Sequence, residues 1–142
     1  MSERRIEGFF YGLFMDSAIL AESGVLAGNP RRAYVDDFGL RIGHRATLIP
    51  EPGGRAYGML IALTRAELQR LYSASGLEQY RPEAVLARPL DAGTPVPALC
   101  YNLLEAPRAG ERNPSYALRL QRTLRELGFP AEYVNSLVTS DA

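Results

Sequence analysis

The chain has 142 residues, of which 46% are hydrophobic and 23% are charged. This length and composition suit a single globular domain, residues 1–142, with its own hydrophobic core. Sixteen basic and sixteen acidic side chains cancel, so no net charge draws the protein to nucleic acid or to an anionic membrane surface. We therefore expect neither class of partner.

The cysteine content and the first apolar run indicate which cellular compartment to expect for the protein. Cys100 is the only cysteine, so no disulfide can form within the chain, which suits a reducing compartment. The apolar run near the N-terminus is interrupted by Glu7 and Asp16, which is unlike a signal peptide and too short for a membrane span. We expect a cytoplasmic protein.

The N-terminal half is typical of short strands joined by turns. Residues 6–12 predict a buried first strand, and Asp16 is placed to cap a short helix over residues 16–23. Residues 24–30, with two glycines and a proline, predict a loop. Strands follow over residues 33–35, 40–42, 46–49 and 56–63, with a turn at Glu51-Pro52-Gly53-Gly54 before the last of them.

The C-terminal half carries two clear helix starts. Thr64 and Glu67 form a capping-box pattern, which predicts a helix that ends near Gly76. Asn113-Pro114 predicts the start of a second helix, and Gly128 its end. The remaining predicted elements are strands over residues 84–90 and 96–104, a loop over 106–111, and a last short helix over 131–137.

The order of these elements predicts the fold class. Strands and helices do not alternate strictly, which argues against a doubly wound parallel sheet. We predict an α+β fold in which a small mixed β-barrel or curled sheet carries about three short helices on one side.

Residues that usually indicate catalysis are scarce. His44 is the only histidine and Cys100 the only cysteine, which argues against a zinc site. No serine lies in a G-x-S-x-G pattern, and neither the phosphate-binding nor the dinucleotide-binding glycine pattern occurs. We expect no metal and no cofactor, with His44 in a surface turn and Cys100 as a buried strand residue.

Several motifs, taken in order along nearly the whole chain, resemble those of one family. The first strand ends in Tyr11-Gly12-Leu13-Phe14-Met15, and the central strand run over residues 55–63 leads into the capped helix. Leu71-Tyr72-Ser73-Ala74-Ser75-Gly76, Tyr80 and Asn113-Pro114-Ser115-Tyr116 follow. This series resembles the γ-glutamylcyclotransferase-like, or AIG2-like, superfamily, and the resemblance implies that family's fold with a pocket for a small-molecule ligand.

The resemblance also implies which residues contact the ligand. In the family, the loop after the first strand holds the substrate through its backbone, and a glycine there lets a ligand approach the free amides. The contacts implied for this chain are Tyr11, Gly12, Leu13, Phe14, Met15, Tyr80 and Tyr116. Family members often have small or polar residues where Leu13 and Phe14 stand, so we expect a narrower and more apolar pocket mouth.

Ser75 marks the main departure from the family. The usual Leu-Asp-x-x-Glu-Gly pattern corresponds to residues 71–76, so Ser75 stands where the resemblance implies a catalytic Glu. That Glu takes a proton from the substrate's α-amino group, which then attacks the γ-carbonyl and releases 5-oxoproline. A serine hydroxyl is too weak a base, and loss of a positioned base costs about 10²–10⁴-fold in rate. The resemblance therefore implies a divergent member whose standard activity is lost or altered.

Three other hypotheses stay open. Another carboxylate could act as the base of an active cyclotransferase: Glu78, three residues beyond Ser75, is the first candidate and Asp16 the second. Ser75 could instead act as the nucleophile of a different acyl transfer, but it has no visible base unless His44 folds close to it. The domain could also be a non-enzymatic sensor or interaction module, with residues 13–15 as its contact surface.

Overall fold

The computed structural model describes residues 4–73, 77–91 and 93–137. The strands in these ranges are β1 (Arg5–Phe10), β2 (Gly28–Ile42), β3 (Ala46–Thr64), β4 (Tyr80–Pro89) and β5 (Val96–Leu103). The α-helices are α1 (Ser17–Glu22), α2 (Arg65–Tyr72), α3 (Pro114–Glu126) and α4 (Ala131–Ser136), and a short 3₁₀ turn, Leu13–Met15, lies between β1 and α1.

The strands close into a barrel in the order β1-β3-β2-β4-β5. β3 pairs antiparallel with both β1 and β2, and β4 pairs antiparallel with β5. A parallel pairing of Gly8 with Leu99 joins β1 to β5, which completes the closure. The predicted α+β fold with a small mixed barrel is confirmed, with four α-helices in the described ranges where about three were expected.

The hairpin of β2 and β3 is longer than the sequence predicts. The prediction of separate short strands is wrong, because residues 51–54 lie within β3 rather than in a turn. Gly53 has a φ of +81° and sits opposite an irregularity in β2, where its amide donates to Asp37 Oδ1 at 3.0 Å. The Pro-Gly-Gly sequence therefore forms a bulge within the hairpin and does not end the strand. The loop predicted over residues 24–30 is also shorter, since β2 begins at Gly28.

Two apolar cores lie on opposite faces of the strands, because successive side chains of a strand point to opposite sides. One core fills the barrel and the other packs the barrel wall against the helices. The first includes Phe9, Tyr11, Leu48, Leu60 and Cys100, and the second includes Phe10, Met59, Ile61, Leu63, Leu68, Leu71, Leu120 and Leu124. Cys100 is fully buried in β5, as the sequence predicts.

The start of α2 is fixed by the predicted capping box. Thr64 Oγ1 accepts a hydrogen bond from the Glu67 amide at 3.1 Å, and Glu67 Oε1 accepts one from the Thr64 amide at 2.8 Å. The bond from the Thr64 amide is the main cause of the lowered pKa of the Glu67 carboxyl. α2 ends at Tyr72, earlier than predicted, and Gly76 lies outside the described residues.

Side-chain caps also begin α1 and α3. Asp16 Oδ1 accepts from the Ala18 amide at 2.9 Å at the start of α1. Asn113 Oδ1 accepts from the Tyr116 amide at 3.2 Å at the start of α3. Both caps agree with the sequence prediction. None of the helices in the described ranges has the length and apolar character needed to cross a bilayer.

Replacing Thr64 with alanine should destabilise the protein by about 1 kcal/mol, because the Glu67 amide loses its acceptor. Urea unfolding of the wild type and Thr64→Ala measures the difference. Gln69→Ala, on the exposed side of α2, is the matched control and should stay within about 0.5 kcal/mol of the wild type. Equal stabilities for Thr64→Ala and Gln69→Ala would contradict a stabilising cap.

Candidate functional site

A pocket of about 480 Å³ opens where β1 ends. It lies between the loop after β1, the end of α2, the start of β4 and the first turns of α3. Its walls are mainly aromatic and aliphatic: Phe10, Tyr11, Leu13, Phe14, Ile19, Tyr72, Leu77, Tyr80 and Tyr116. Its polar and charged lining residues are Glu22, His44, Arg45, Asn113 and Arg119.

The structure brings most of the residues implied by the family resemblance to this pocket. Tyr11, Gly12, Leu13, Phe14, Tyr80 and Tyr116 line it. Met15 does not line it, because the 3₁₀ turn directs its side chain into the core between barrel and helices, where it is 2% exposed. The role of these seven residues in binding a ligand stays a prediction.

Ser75 lies outside the described residues. Tyr72 and Leu77, which stand before and after it in the sequence, both line the pocket. Of the substitute bases, Glu78 is exposed and is not among the lining residues, and its carbonyl accepts from the Arg81 guanidinium. The carboxylate of Asp16 is engaged as the cap of α1.

The absence of a side chain at Gly12 lets Tyr116 approach the loop closely. A Cβ on Gly12 would lie 2.6 Å from Tyr116 Oη. Gly12 has a φ of −109°, which other residues can adopt, so the constraint here is space and not backbone strain. Burial raises the pKa of Tyr116, and hydrogen bonding to the Leu13 backbone opposes this only in part. Tyr116 therefore stays a neutral phenol that faces the loop.

The hydroxyls of Tyr11 and Tyr80 both donate to backbone carbonyls. Tyr11 Oη donates to the Tyr101 carbonyl at 2.7 Å and Tyr80 Oη to the Ala46 carbonyl at 2.5 Å. Burial raises the pKa of Tyr11 well above its usual value and that of Tyr80 to about 12. Since these protons are engaged, Tyr80 Oη can only accept a further hydrogen bond, for example from an amine. Tyr11 Oη lies in the barrel core, where the side chain of Thr47 also hydrogen-bonds to it.

Tyr72 is a pocket residue that the sequence analysis did not identify as such. Its ring stacks on Tyr101 with centroids 4.0 Å apart and planes 7° apart. It also makes an edge contact with Phe14 at 5.6 Å and a tilted contact with Tyr80 at 5.9 Å. This aromatic cluster joins α2, the loop after β1, β4 and β5, and forms a firm wall for the pocket. The one sequence feature that could have indicated Tyr72 is its position next to Leu71 on the apolar face of α2.

Glu22 and His44 were also not assigned to a pocket by the sequence. Glu22, the last residue of α1, is an exposed carboxylate on the pocket rim. His44 lies exposed in the turn between β2 and β3, as predicted, and it too reaches the rim. Among the described residues, no three or more His, Cys, Asp or Glu side chains cluster in a way that could hold a metal ion.

Gly12→Ala should destabilise the protein by about 1–3 kcal/mol, because the added methyl overlaps the Tyr116 hydroxyl. The Gly12→Ala/Tyr116→Phe double variant, which lacks that oxygen, should lose less than the sum of the single losses, by at least about 0.5 kcal/mol. Chemical denaturation of the four proteins measures this coupling. Tyr34→Phe, a tyrosine of β2 that does not line this pocket, is the matched control and should combine additively with Gly12→Ala. Additivity with Tyr116→Phe as well would contradict the close approach.

Comparisons with known proteins bear on the fold. No protein-family model matches the chain, and no curated protein matches its sequence. A solved γ-glutamyl cyclotransferase is similar with a TM-score of 0.77 and 19% identity, over 97% of this chain and 90% of that protein. An uncharacterised protein from Homo sapiens is similar with a TM-score of 0.77 and 20% identity, over 99% of this chain and 92% of its own.

A third solved structure, YkqA from Bacillus subtilis, has a TM-score of 0.74 and 25% identity, over 94% of this chain. The match covers 52% of YkqA, so this chain spans about half its length. All three likenesses extend over nearly the whole of the present chain, including the barrel and the elements around the pocket. The chain therefore has the γ-glutamylcyclotransferase-like fold that the resemblance of its motifs implies.

Proposed function

We propose that the protein binds a small γ-glutamyl compound, or a related amine or amide, in the pocket at the end of β1, and that the standard cyclotransferase reaction is lost or altered. One observation carries the proposal. Residues of three separate segments, the Tyr11-Gly12 loop, Tyr80 and Tyr116, lie together around one pocket, and these are the segments to which the family resemblance assigns ligand contact.

The size and lining of the pocket support a small polar ligand with an aliphatic part. Pockets of roughly 300–1,000 Å³ hold small molecules, and this one measures about 480 Å³. The rings of Phe14 and Tyr72 offer apolar surface for methylene groups. The hydroxyl oxygen of Tyr80 remains able to accept a hydrogen bond, which suits the α-amino group of a γ-glutamyl compound.

The chemistry of cyclisation supports the second half of the proposal. The α-amine must lose a proton as its nitrogen bonds to the γ-carbon, and the departing amine must gain one as the amide bond breaks. A group that relays this proton needs hydrogen-bond reach and a pKa near the working pH. Tyr80, with its pKa raised to about 12, and Tyr116, with its pKa also raised, are poor acceptors of that proton.

The carboxylates do not fill this role well. Glu78 does not line the pocket, Asp16 is engaged as a helix cap, and Glu22 is exposed at the rim. Ser75, at the family position of the base, offers only a hydroxyl. Proximity within the pocket could leave slow turnover, and a non-enzymatic sensor would use the same pocket without turnover.

Binding and turnover can be measured together with γ-glutamyl-alanine. Millimolar ligand should raise the thermal midpoint of the wild type, because a ligand at 100 times its Kd stabilises by about 2.7 kcal/mol. The isomer α-glutamyl-alanine is the matched control and should give a smaller rise. Release of 5-oxoproline should be absent or slow. No stabilisation by any γ-glutamyl compound would contradict the proposed pocket function, and fast turnover abolished by Glu78→Gln but not by Ser75→Ala would instead indicate a relocated base.

Ser75→Glu should increase the release of 5-oxoproline from γ-glutamyl-alanine by roughly 10²–10⁴-fold over the wild type, since it supplies the missing base. Ser73→Glu, two residues earlier at the exposed end of α2, is the matched control and should leave the rate unchanged. Equal rates for the wild type and both variants, with ligand binding retained, would contradict the assignment of Ser75 to the base position.

A further inference from the structure

Two arginines flank the pocket from different elements. Arg45 lies in the turn between β2 and β3, and Arg119 lies in α3 one turn beyond Tyr116. Each guanidinium is close enough to a pocket phenol to favour its ionised form, Arg45 for Tyr80 and Arg119 for Tyr116. The two cations therefore stand near two tyrosines that line the pocket.

Neither cation has a carboxylate partner within the described part of the chain. The ion pairs there join Arg31 to Glu7, Arg32 to Asp91, Arg41 to Glu51, and Arg55 and Arg88 to Asp36. Glu22 shares the pocket rim with Arg45 and Arg119 but forms an ion pair with neither. Two guanidinium groups on one pocket thus remain available to an anionic ligand.

The turn that carries Arg45 is fastened to the start of α3. The Gly43 amide donates to the Arg45 carbonyl at 3.0 Å, and the His44 amide donates to Glu111 Oε1 at 3.1 Å. Asn113, the cap of α3, donates through Nδ2 to the His44 carbonyl at 3.2 Å. The same residue thus binds both the turn of Arg45 and the helix of Arg119, which holds the two backbones in a fixed relation.

We propose that Arg45 and Arg119 are specificity-determining residues that select ligands carrying a carboxylate on the group attached to the γ-amide nitrogen, that is, a γ-glutamyl amino acid over a γ-glutamyl alkylamine. A guanidinium binds a carboxylate through two parallel N–H···O bonds, which an uncharged alkyl group cannot accept. The inference rests on the proposed function, because it concerns the outer end of the same ligand.

The experiment compares two ligands that differ in the carboxylate alone. Isothermal titration should show γ-glutamyl-alanine binding the wild type about 10- to 100-fold more tightly than γ-glutamyl-ethylamide, the factor expected for charged hydrogen bonds. Arg45→Gln and Arg119→Gln should each reduce this ratio, and the double variant should bring it close to one. Raising the salt concentration should reduce the wild-type ratio, because both side chains are exposed.

Arg122→Gln is the matched control, since Arg122 is an exposed arginine of α3 that does not line the pocket; its ratio should equal that of the wild type. Arg45→Lys and Arg119→Lys serve as second variants and should retain part of the ratio, because charge is kept and the fork geometry is lost. Thermal unfolding without ligand checks that each variant is folded.

The outcomes separate this inference from the proposed function. If both ligands bind the wild type equally, or if the preference survives in the double Gln variant, the role of the arginines is overturned and the pocket function stands. If neither ligand binds the wild type, the proposed function fails, and the inference fails with it.

Discussion

The hydrogen bond from Tyr11 Oη to the Tyr101 carbonyl ties the first residue after β1 to β5, at the point where the pocket begins. Tyr11 is 6% exposed, and its ring packs in the barrel core while its hydroxyl is satisfied by β5. An unpaired phenol at this depth would be costly. Gly12 follows directly, and there the loop after β1 runs close against the Tyr116 hydroxyl at the pocket.

The parts of the fold that could be predicted depend on contacts close in sequence. The capping box of Thr64 and Glu67 spans three residues, and so does the cap of Asn113, so their residue types are sufficient to indicate them. The Pro-Gly-Gly of β3 shows the opposite case. A glycine with positive φ can end a strand or bend it, and only the pairing of Gly53 with Asp37, sixteen residues away, decides between the two.

The same distinction explains which pocket-lining residues the sequence predicts. The Tyr11-Gly12 loop, Tyr80 and Tyr116 were identified because the family resemblance supplied long-range information that the local pattern lacks. The sequence does not indicate Arg45 and Arg119, because nothing in a sequence distinguishes an arginine that faces solvent from one that lines a pocket. Met15 was assigned to the pocket because it follows the loop in sequence, whereas the 3₁₀ turn directs it into the core.

Burial has opposite effects on binding and on proton transfer in this pocket. Removing the phenols from water gives a firm aromatic wall and hydroxyls of fixed direction, which favours binding. The same burial raises the pKa of Tyr11, Tyr80 and Tyr116, so none of them accepts a proton readily near neutral pH. A carboxyl group responds differently, because burial brings its pKa up towards neutrality and makes it a better base. A carboxylate in the wall of such a pocket would therefore change its proton-transfer chemistry more than any of these three phenols does.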